Sequence, residues 1–465
     1  MIKEDERIVV DTVDFQVSCR RFTVRATITR DRQLPVVDEF VLRLLAILDR
    51  MSINRMRGWF GFTASEMQTV LKDMGRRNLV EIVNDDIQLA PAGRELFRAS
   101  STTGVPHVVE TSPIIENVWY DLVSRNMVPR SRARSADYLV KVAELPEARE
   151  MPEAFARSAF EENFRDYAKR IRRFPDPDSV NLYSVSDVEG GMYGYQTLRS
   201  DLVLEMERLR VRPIFKELDD STANYNKLTV AASDAWQMQV GPDVASNTAA
   251  EFDRMTGDNR FTNVIENPQN IDIWRQALAS ITAEGSEFHA STGALYLQRN
   301  FDRLIANIGD FESKQADCDV VWLRPGGATW GRTLKIGETI ASVGHALSNA
   351  GKKMRTTLAM PRSTHKTMRQ NHKRIFERGL LLPQGHLPGN LEIFLVPGKL
   401  AVVNVHLPVG THSVPIGGTV FNKKRLARIT ERLTRGNMEG WETLWENPAP
   451  NGVSGRPANV EAMEL

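Results

Sequence analysis

Only two cysteines occur in 465 residues, Cys19 and Cys318. They lie far apart and form neither a metal-ligand spacing nor a disulfide framework, so a reducing compartment, the cytoplasm, is expected. No uninterrupted apolar run approaches the length of a membrane helix, and with five charges within Met1–Arg7 a secretory leader is not expected. A membrane is therefore not an expected partner. Glycine-rich phosphate fingerprints are also missing. Gly190-Gly191-Met192-Tyr193-Gly194 and Arg324-Pro325-Gly326-Gly327 match neither a Walker A nor a dinucleotide motif and read as β–α turns. Glu161, Glu162, Asp166, Asp317 and Asp319 have no partner cluster and read as surface carboxylates. Nothing implies a cofactor or a metal.

Net charge is nearly absent too, with 60 Lys and Arg against 59 Asp and Glu, but the balance hides a segregation. Between Lys352 and Arg435 sixteen basic residues face three acids, Glu377, Glu392 and Glu431, giving +13. The rest of the chain is then −12. Such asymmetry points to a polyanionic partner, DNA ahead of RNA, or to a basic face that docks on an acidic protein. Lys366, Arg369, Lys373, Arg374, Lys423, Lys424, Arg425 and Arg428 are the candidate phosphate contacts.

Along the chain, Ile8–Val13 and Phe22–Thr29 read as a β-hairpin within residues 1–35, with Phe22, Val24, Ala26 and Ile28 on one face. Residues 36–98 follow a helical order. Val37, Val41, Leu44, Leu45 and Leu48 form one apolar stripe, and a short helix runs from Ile53 to Trp59. Thr63-Ala-Ser-Glu66 is a capping box opening a third helix with Met67, Val70, Leu71 and Met74 inward. Two strands then flank an Asn84-Asp85-Asp86 turn. This order of three helices and a two-stranded wing resembles the winged helix-turn-helix fold. The resemblance implies that Lys72, Arg76 and Arg77 serve the helix that enters the major groove. The acidic wing tip and a balance of nine basic against nine acidic residues weigh the other way, leaving DNA reading and protein docking both open.

Residues 99–113 read as a linker and 114–175 as helical. From residue 176 to 435 a strand–loop–helix–strand order is read twice. The first copy places strands at Asn181–Val185, Val211–Phe215 and from Lys227, with a helix at Leu198–Leu209. The second places strands at Asp319–Leu323, Met354–Met360, Leu391–Val396 and Lys399–Val405. Its helices are expected at Thr333–Asn349, Arg362–Arg378 and from Leu426. Residues 241–318 would be an insertion, and 436–465 a mobile acidic, aromatic tail that is a second place for a protein partner.

Two strings match across these halves: Tyr225-Asn-Lys227-Leu-Thr-Val-Ala-Ala232 and Pro397-Gly-Lys399-Leu-Ala-Val-Val-Asn404. Their spacing resembles the His-x-Lys-(x)4-Asp signature of the phospholipase D superfamily, whose two repeats share one site. The lysines match. Tyr225 and Pro397 stand at the histidine positions, and Ala232 and Asn404 at the aspartate positions. The resemblance implies a two-repeat core that keeps Lys227 and Lys399 as phosphate contacts and has lost its catalytic residues. The whole is expected as a multi-domain α/β protein: β-hairpin, winged helix, then a degenerate phospholipase D-like core. The expected function is non-catalytic nucleic-acid binding, as a bacterial regulator or an accessory subunit of a DNA-processing or antiviral defence system. The alternatives are a phosphodiesterase with a rearranged site drawn from His365, His372, His406 and His412, and a scaffold for an acidic protein.

Overall fold

A computed structural model describes residues 7–98, 107–128, 135–215, 223–282, 287–309, 317–434 and 441–447. The first elements are β1 (Arg7–Gln33), α1 (Val36–Leu48), β2 (Arg50–Ser52), α2 (Ile53–Phe60), α3 (Ala64–Arg76), β3 (Val80–Val83), β4 (Asp86–Leu89) and α4 (Pro91–Arg98). There follow β5 (His107–Asp121), β6 (Val140–Lys141), α5 (Pro146–Glu150), α6 (Pro152–Asp166), β7 (Val180–Glu205), β8 (Arg210–Ile214) and α7 (Ala223–Gln237). Next come α8 (Thr248–Thr256), α9 (Thr262–Glu266), α10 (Ile271–Ala279), β9 (Phe288–Thr292), α11 (Gln298–Gly309), β10 (Asp317–Leu323) and α12 (Lys335–Asn349). The last are β11 (Lys353–Met360), β12 (Arg378–Leu381), β13 (Leu391–Val396), β14 (Leu400–Val409), β15 (His412–Val420), α13 (Lys423–Thr434) and β16 (Glu442–Glu446). Helices and strands mix in several sheets, as expected for a multi-domain α/β chain. Among the described residues no helix is long and apolar enough to cross a membrane.

The chain divides into two compact units. The winged unit comprises residues 19–131 and 145–193. Within it, α1, α2 and α3 enclose Val41, Leu42, Leu45, Met56, Met67, Leu71 and Met74 beneath a three-stranded sheet in the order β2-β4-β3. Thr63 and Glu66 form the expected capping box: Thr63 N donates to Glu66 Oε2 at 2.8 Å, and Glu66 N donates to Thr63 Oγ1 at 3.3 Å. The wing turns on Asn84 and Asp85, both at positive φ (51° and 66°), a conformation these two residue types tolerate well. A second core joins Phe22, Val24, Ala26 and Ile28 of β1, Val118 and Tyr120 of β5, and Phe155, Ala159, Phe160 and Phe164 of α6.

Three expectations fail here. No hairpin interrupts residues 8–30, because the apolar alternation continues through Val13, Phe15, Val17 and Cys19 with no glycine or proline between. Residues 107–121 are strand β5 rather than linker and helix: Arg25 faces Ile115, and Phe22 faces Val118 across the ladder. Gly190 and Gly191 lie inside strand β7 instead of a loop. A Cβ on Gly190 would sit 2.2 Å from Arg20 Nη2, so the glycine marks a close approach.

The sheet unit comprises residues 1–18, 132–144 and 194–465. Its main sheet has eight strands in the order β16-β12-β11-β10-β13-β14-β15-β9. β10, β11 and β12 are parallel, with α12 as the crossover between β10 and β11, while β13, β14, β15 and β9 are antiparallel neighbours. Ile336, Ile340, Val343 and Leu347 of α12 pack on Trp322, Leu358, Phe394 and Val402. β9 is an edge strand of this sheet, so the segment expected as an insertion, 241–318, contributes a strand to it. β16 is the other edge. Trp445 is buried there, its Nε1–H donates to Phe376 O at 3.1 Å, and its ring lies where a Cβ on Gly379 would be, 2.4 Å from Cε3. Residues 442–446 are thus an edge strand that sends Trp445 into the core. Residues 436–440 and 448–465 of the expected tail lie outside the described residues.

The two-repeat core does not form. Leu198–Leu209 is not a helix: residues 194–205 continue β7, in which Leu198, Ser200, Leu202 and Leu204 are buried at a spacing of two, with Val203 buried as well. Lys227 is on a helix, not a strand, since Leu228, Ala232 and Trp236 bury one face at a spacing of four. Lys399 lies in the β13–β14 turn, where Gly398 adopts φ +75° and Lys399 N donates to Val396 O at 3.0 Å. One string therefore opens a helix and the other a strand. An antiparallel β7–β8 pair cannot be a copy of a parallel β10–α12–β11 unit. Arg362–Arg378 is also not a helix. Successive turns bond residues three apart, such as Thr364 N to Pro361 O and Met368 N to His365 O, and His372 takes φ +68°.

Candidate nucleic-acid interface

α3 presents two different faces. Met67, Leu71 and Met74 point into the module, and Ser65, Gln68, Thr69, Lys72 and Arg76 are exposed at spacings of three and four. No carboxylate lies on that exposed stripe. Glu66 is held in the capping box, and Asp73 pairs with Arg77 at 2.7 Å. The charges that cancel in the sequence are thus separated in space. A groove of about 460 Å³ runs beside the stripe, lined by Asn54, Arg57, Gln68, Lys72 and Ile82 among others.

Lys72 and Arg76 lie where the sequence put them. Arg77 does not join them. Its guanidinium bonds the buried carboxylate of Asp38 on α1 as well as Asp73, so it clamps α1 to α3. Asp85 at the wing tip is exposed and repels phosphate.

In the sheet unit the basic excess is partly neutralised by acids from outside its own window. Arg355 pairs with Glu446, Arg362 with Glu442, Arg425 with Glu287 and Arg432 with Glu251. Arg369 is tied to backbone, its Nε donating to Thr364 O at 3.1 Å and its Nη2 to Arg362 O at 3.2 Å. Among the described residues of the window, the exposed cations left are Lys353 on β11, Lys366, Lys373 and Arg374 on the turns after β11, and Lys423, Lys424 and Arg428 on α13. Lys227 is exposed on α7, and Lys399 is half-buried.

A buried polar cluster was not expected from the sequence. Glu392 accepts from Trp330 Nε1 (2.7 Å), Trp322 Nε1 (2.9 Å) and Asn404 Nδ2 (3.4 Å), and bonds His406 Nε2 (2.9 Å). Burial pushes the Glu392 carboxyl up, but the His406 hydrogen bond and charge and the two indole N–H groups outweigh it and hold it below its ordinary value. Asp11 accepts from Tyr296 Oη at 2.6 Å, and burial pushes its carboxyl up to about 6 against that bond. Arg324 is buried over the Trp330 ring, 5.1 Å from its centroid, and burial then the Arg332 charge push its guanidinium down to about 9. His372 stacks on Tyr138 at 4.6 Å and bonds Gly331 O at 2.9 Å. Burial, then Arg324, pushes this imidazole down to about 3. The one signal in the sequence was Asn404-Val-His406 inside an apolar run, two polar residues on one strand face, with Glu392 facing Asn404 across the ladder.

The histidines of the rearranged-site reading do not meet at an open site. His372 and His406 are buried and bonded as above, while His365 is exposed and bonded to Thr367. Among the described residues no group of three His, Cys, Asp or Glu could hold a metal.

No family model matches the chain, and no curated protein matches it. Among solved structures there is a match to TrmBL2, an archaeal chromatin protein whose structure is described as showing a novel mode of DNA binding. The identity is 7%, over 45% of this chain and 77% of that one, with a TM-score of 0.20. A superposition that loose carries no argument about fold or function.

Proposed function

We propose that this chain is a non-catalytic DNA-binding protein whose winged unit reads duplex DNA with α3. It would act as a regulator or as an accessory subunit of a DNA-processing or defence system. The observation that carries the reading is the exposed stripe Ser65, Gln68, Thr69, Lys72 and Arg76, which is free of carboxylate. Its short polar groups suit base edges in the major groove, and its two cations suit the flanking phosphates. The exposed cations Lys423, Lys424 and Arg428 on α13 offer a second, sequence-independent phosphate contact. The stripe itself carries no large apolar group, whereas Phe40, Ile47, Trp59 and Ile82 elsewhere on the winged unit are exposed and favour protein docking as the second reading.

The test is fluorescence anisotropy of the full chain with labelled duplexes between about 50 and 200 mM salt. Replacing Lys72 and Arg76 with Glu should weaken binding and reduce the salt slope by about 2, roughly 0.9 for each phosphate no longer neutralised. Replacing Lys423, Lys424 and Arg428 with Glu should also flatten the slope, without altering preference among sequences. Unchanged affinity in folded Lys72/Arg76 variants refutes α3 as the reader. Unchanged affinity in both sets refutes DNA binding through either surface.

A further inference from the structure

The sheet unit contains a cavity of about 830 Å³ that the DNA reading does not use. It lies among β8, α7 and the β14–β15 turn, and its volume is in the range of small-molecule sites. Its lining combines the apolar Val211, Ile214, Phe215 and Val230 with the cationic Arg210 and Arg212. Arg210 and Arg212 stand on alternate positions of β8 and share one carboxylate, Glu205, at 2.6 and 3.6 Å. Two guanidiniums on one carboxylate leave donors free for a second anion.

Two buried ring nitrogens in the cavity wall have no partner among the described residues. Trp236 is 3% exposed, and its Nε1–H meets no acceptor there. His412, whose ring lies 6.1 Å from that indole, leaves Nε2 unbonded, while its Nδ1 lies 3.2 Å from Thr411 Oγ1. Burial pushes the His412 imidazole down to about 4, so at neutral pH it is an uncharged hydrogen-bonding group. A buried donor without an acceptor is costly, and two such unsatisfied ring nitrogens on residues of one cavity lining call for a polar partner, which a ligand supplies once these solvent-shielded atoms turn toward it. Asp234, also in the lining, supplies an acceptor for hydroxyl or amino groups.

We infer that this cavity is a binding site for a nucleoside monophosphate. The phosphate would lie on Arg210 and Arg212, the planar base along the apolar wall with an acceptor toward Trp236 Nε1, and the ligand's donors toward Asp234. This assignment is independent of DNA binding by α3 and survives its failure.

The experiment uses the full chain labelled with ¹⁵N on its indoles and titrated separately with AMP, adenosine and inorganic phosphate. The Trp236 resonance is identified by its loss in Trp236→Phe. AMP should shift this resonance. Trp236→Phe should weaken AMP and adenosine alike, by roughly tenfold, the worth of one hydrogen bond. Arg210→Gln with Arg212→Gln should weaken AMP by at least that factor and leave adenosine unchanged. Val230→Glu, on an exposed wall residue, should exclude AMP with the core untouched. Phosphate alone binding as tightly as AMP makes this a free oxyanion site and overturns the nucleotide assignment. No movement of the Trp236 resonance with any of the three overturns the site.

Discussion

Replacing Asp11 with Asn should make the protein's stability respond to pH in a way fixed by two buried groups of opposite sign. Asp11 is buried, with its carboxyl raised from 3.8 to about 6 by burial. A carboxyl with a raised folded pKa binds its proton more tightly in the native state. Its ionisation therefore costs stability above pH 6, and that cost disappears as pH falls toward 3.8. The shift of about 2 units corresponds to about 3 kcal/mol. His372 acts oppositely. Its imidazole is lowered from 6.5 to about 3, so the native state holds it neutral while the unfolded chain protonates. Its contribution is complete above 6.5 and falls by about 1.4 kcal/mol per unit as pH drops toward 3. In the wild type, Asp11 offsets much of the His372 loss between pH 6 and 4. In Asp11→Asn that compensation is gone. The difference in stability between variant and wild type should fall by about 3 kcal/mol from pH 7.5 to pH 4. A constant offset from placing an amide beside Tyr296 moves the whole curve and leaves this difference intact. Urea unfolding followed by tryptophan fluorescence at half-unit pH steps measures it, since six of the eight tryptophans belong to the sheet unit. A difference that is flat with pH, or that grows as pH falls, refutes the assignment of Asp11 as a carboxyl destabilised by burial.

Two other outcomes rest on the same geometry. Trp445→Ala should destabilise the sheet unit by about 3–5 kcal/mol, because it empties a core position and strips the Phe376 carbonyl of its donor; calorimetry of the sheet-unit transition checks this. Asp85→Asn, which keeps a residue suited to positive φ while removing the wing-tip charge, should tighten DNA binding roughly twofold at low salt without changing stability, the scale of one exposed charge interaction, as read by anisotropy and melting.

A feature is legible in the sequence when the contact that decides it is local. The α3 helix can be read because its start signal, Thr63 to Glu66, lies within one turn, and its two faces come from spacing alone. The β10–α12–β11 unit is legible for the same reason. The string Lys-Leu-x-Val is not, since the residues after it decide its fate. After Lys227 come Ala232 and Trp236 at helical spacing, and after Lys399 the β-branched, apolar-rich run of β14. Arg77 could not be assigned from sequence because the partner that fixes it, Asp38, is 39 positions away. The Glu392 cluster draws on β10, the loop after it, β13 and β14, so only the register of the finished sheet brings its members together. The basic window misled in part because four of its arginines meet acids from outside it.

The placement of β16 also bears on how the protein is made. Translation runs from the amino end, so β10, β11 and β12 leave the ribosome some sixty residues before Trp445 does. Throughout that interval β12 has a bare edge, and the hollow over Gly379 has no ring in it. The sheet can collapse around α12 but cannot close. A nascent chain stalled between residues 400 and 440 would expose a strand edge beside apolar surface, the combination that chaperones bind and aggregates recruit. Completion of the sheet is thus timed by the arrival of five residues, and a premature stop before them should yield an insoluble product even though nearly all of the core has been synthesised.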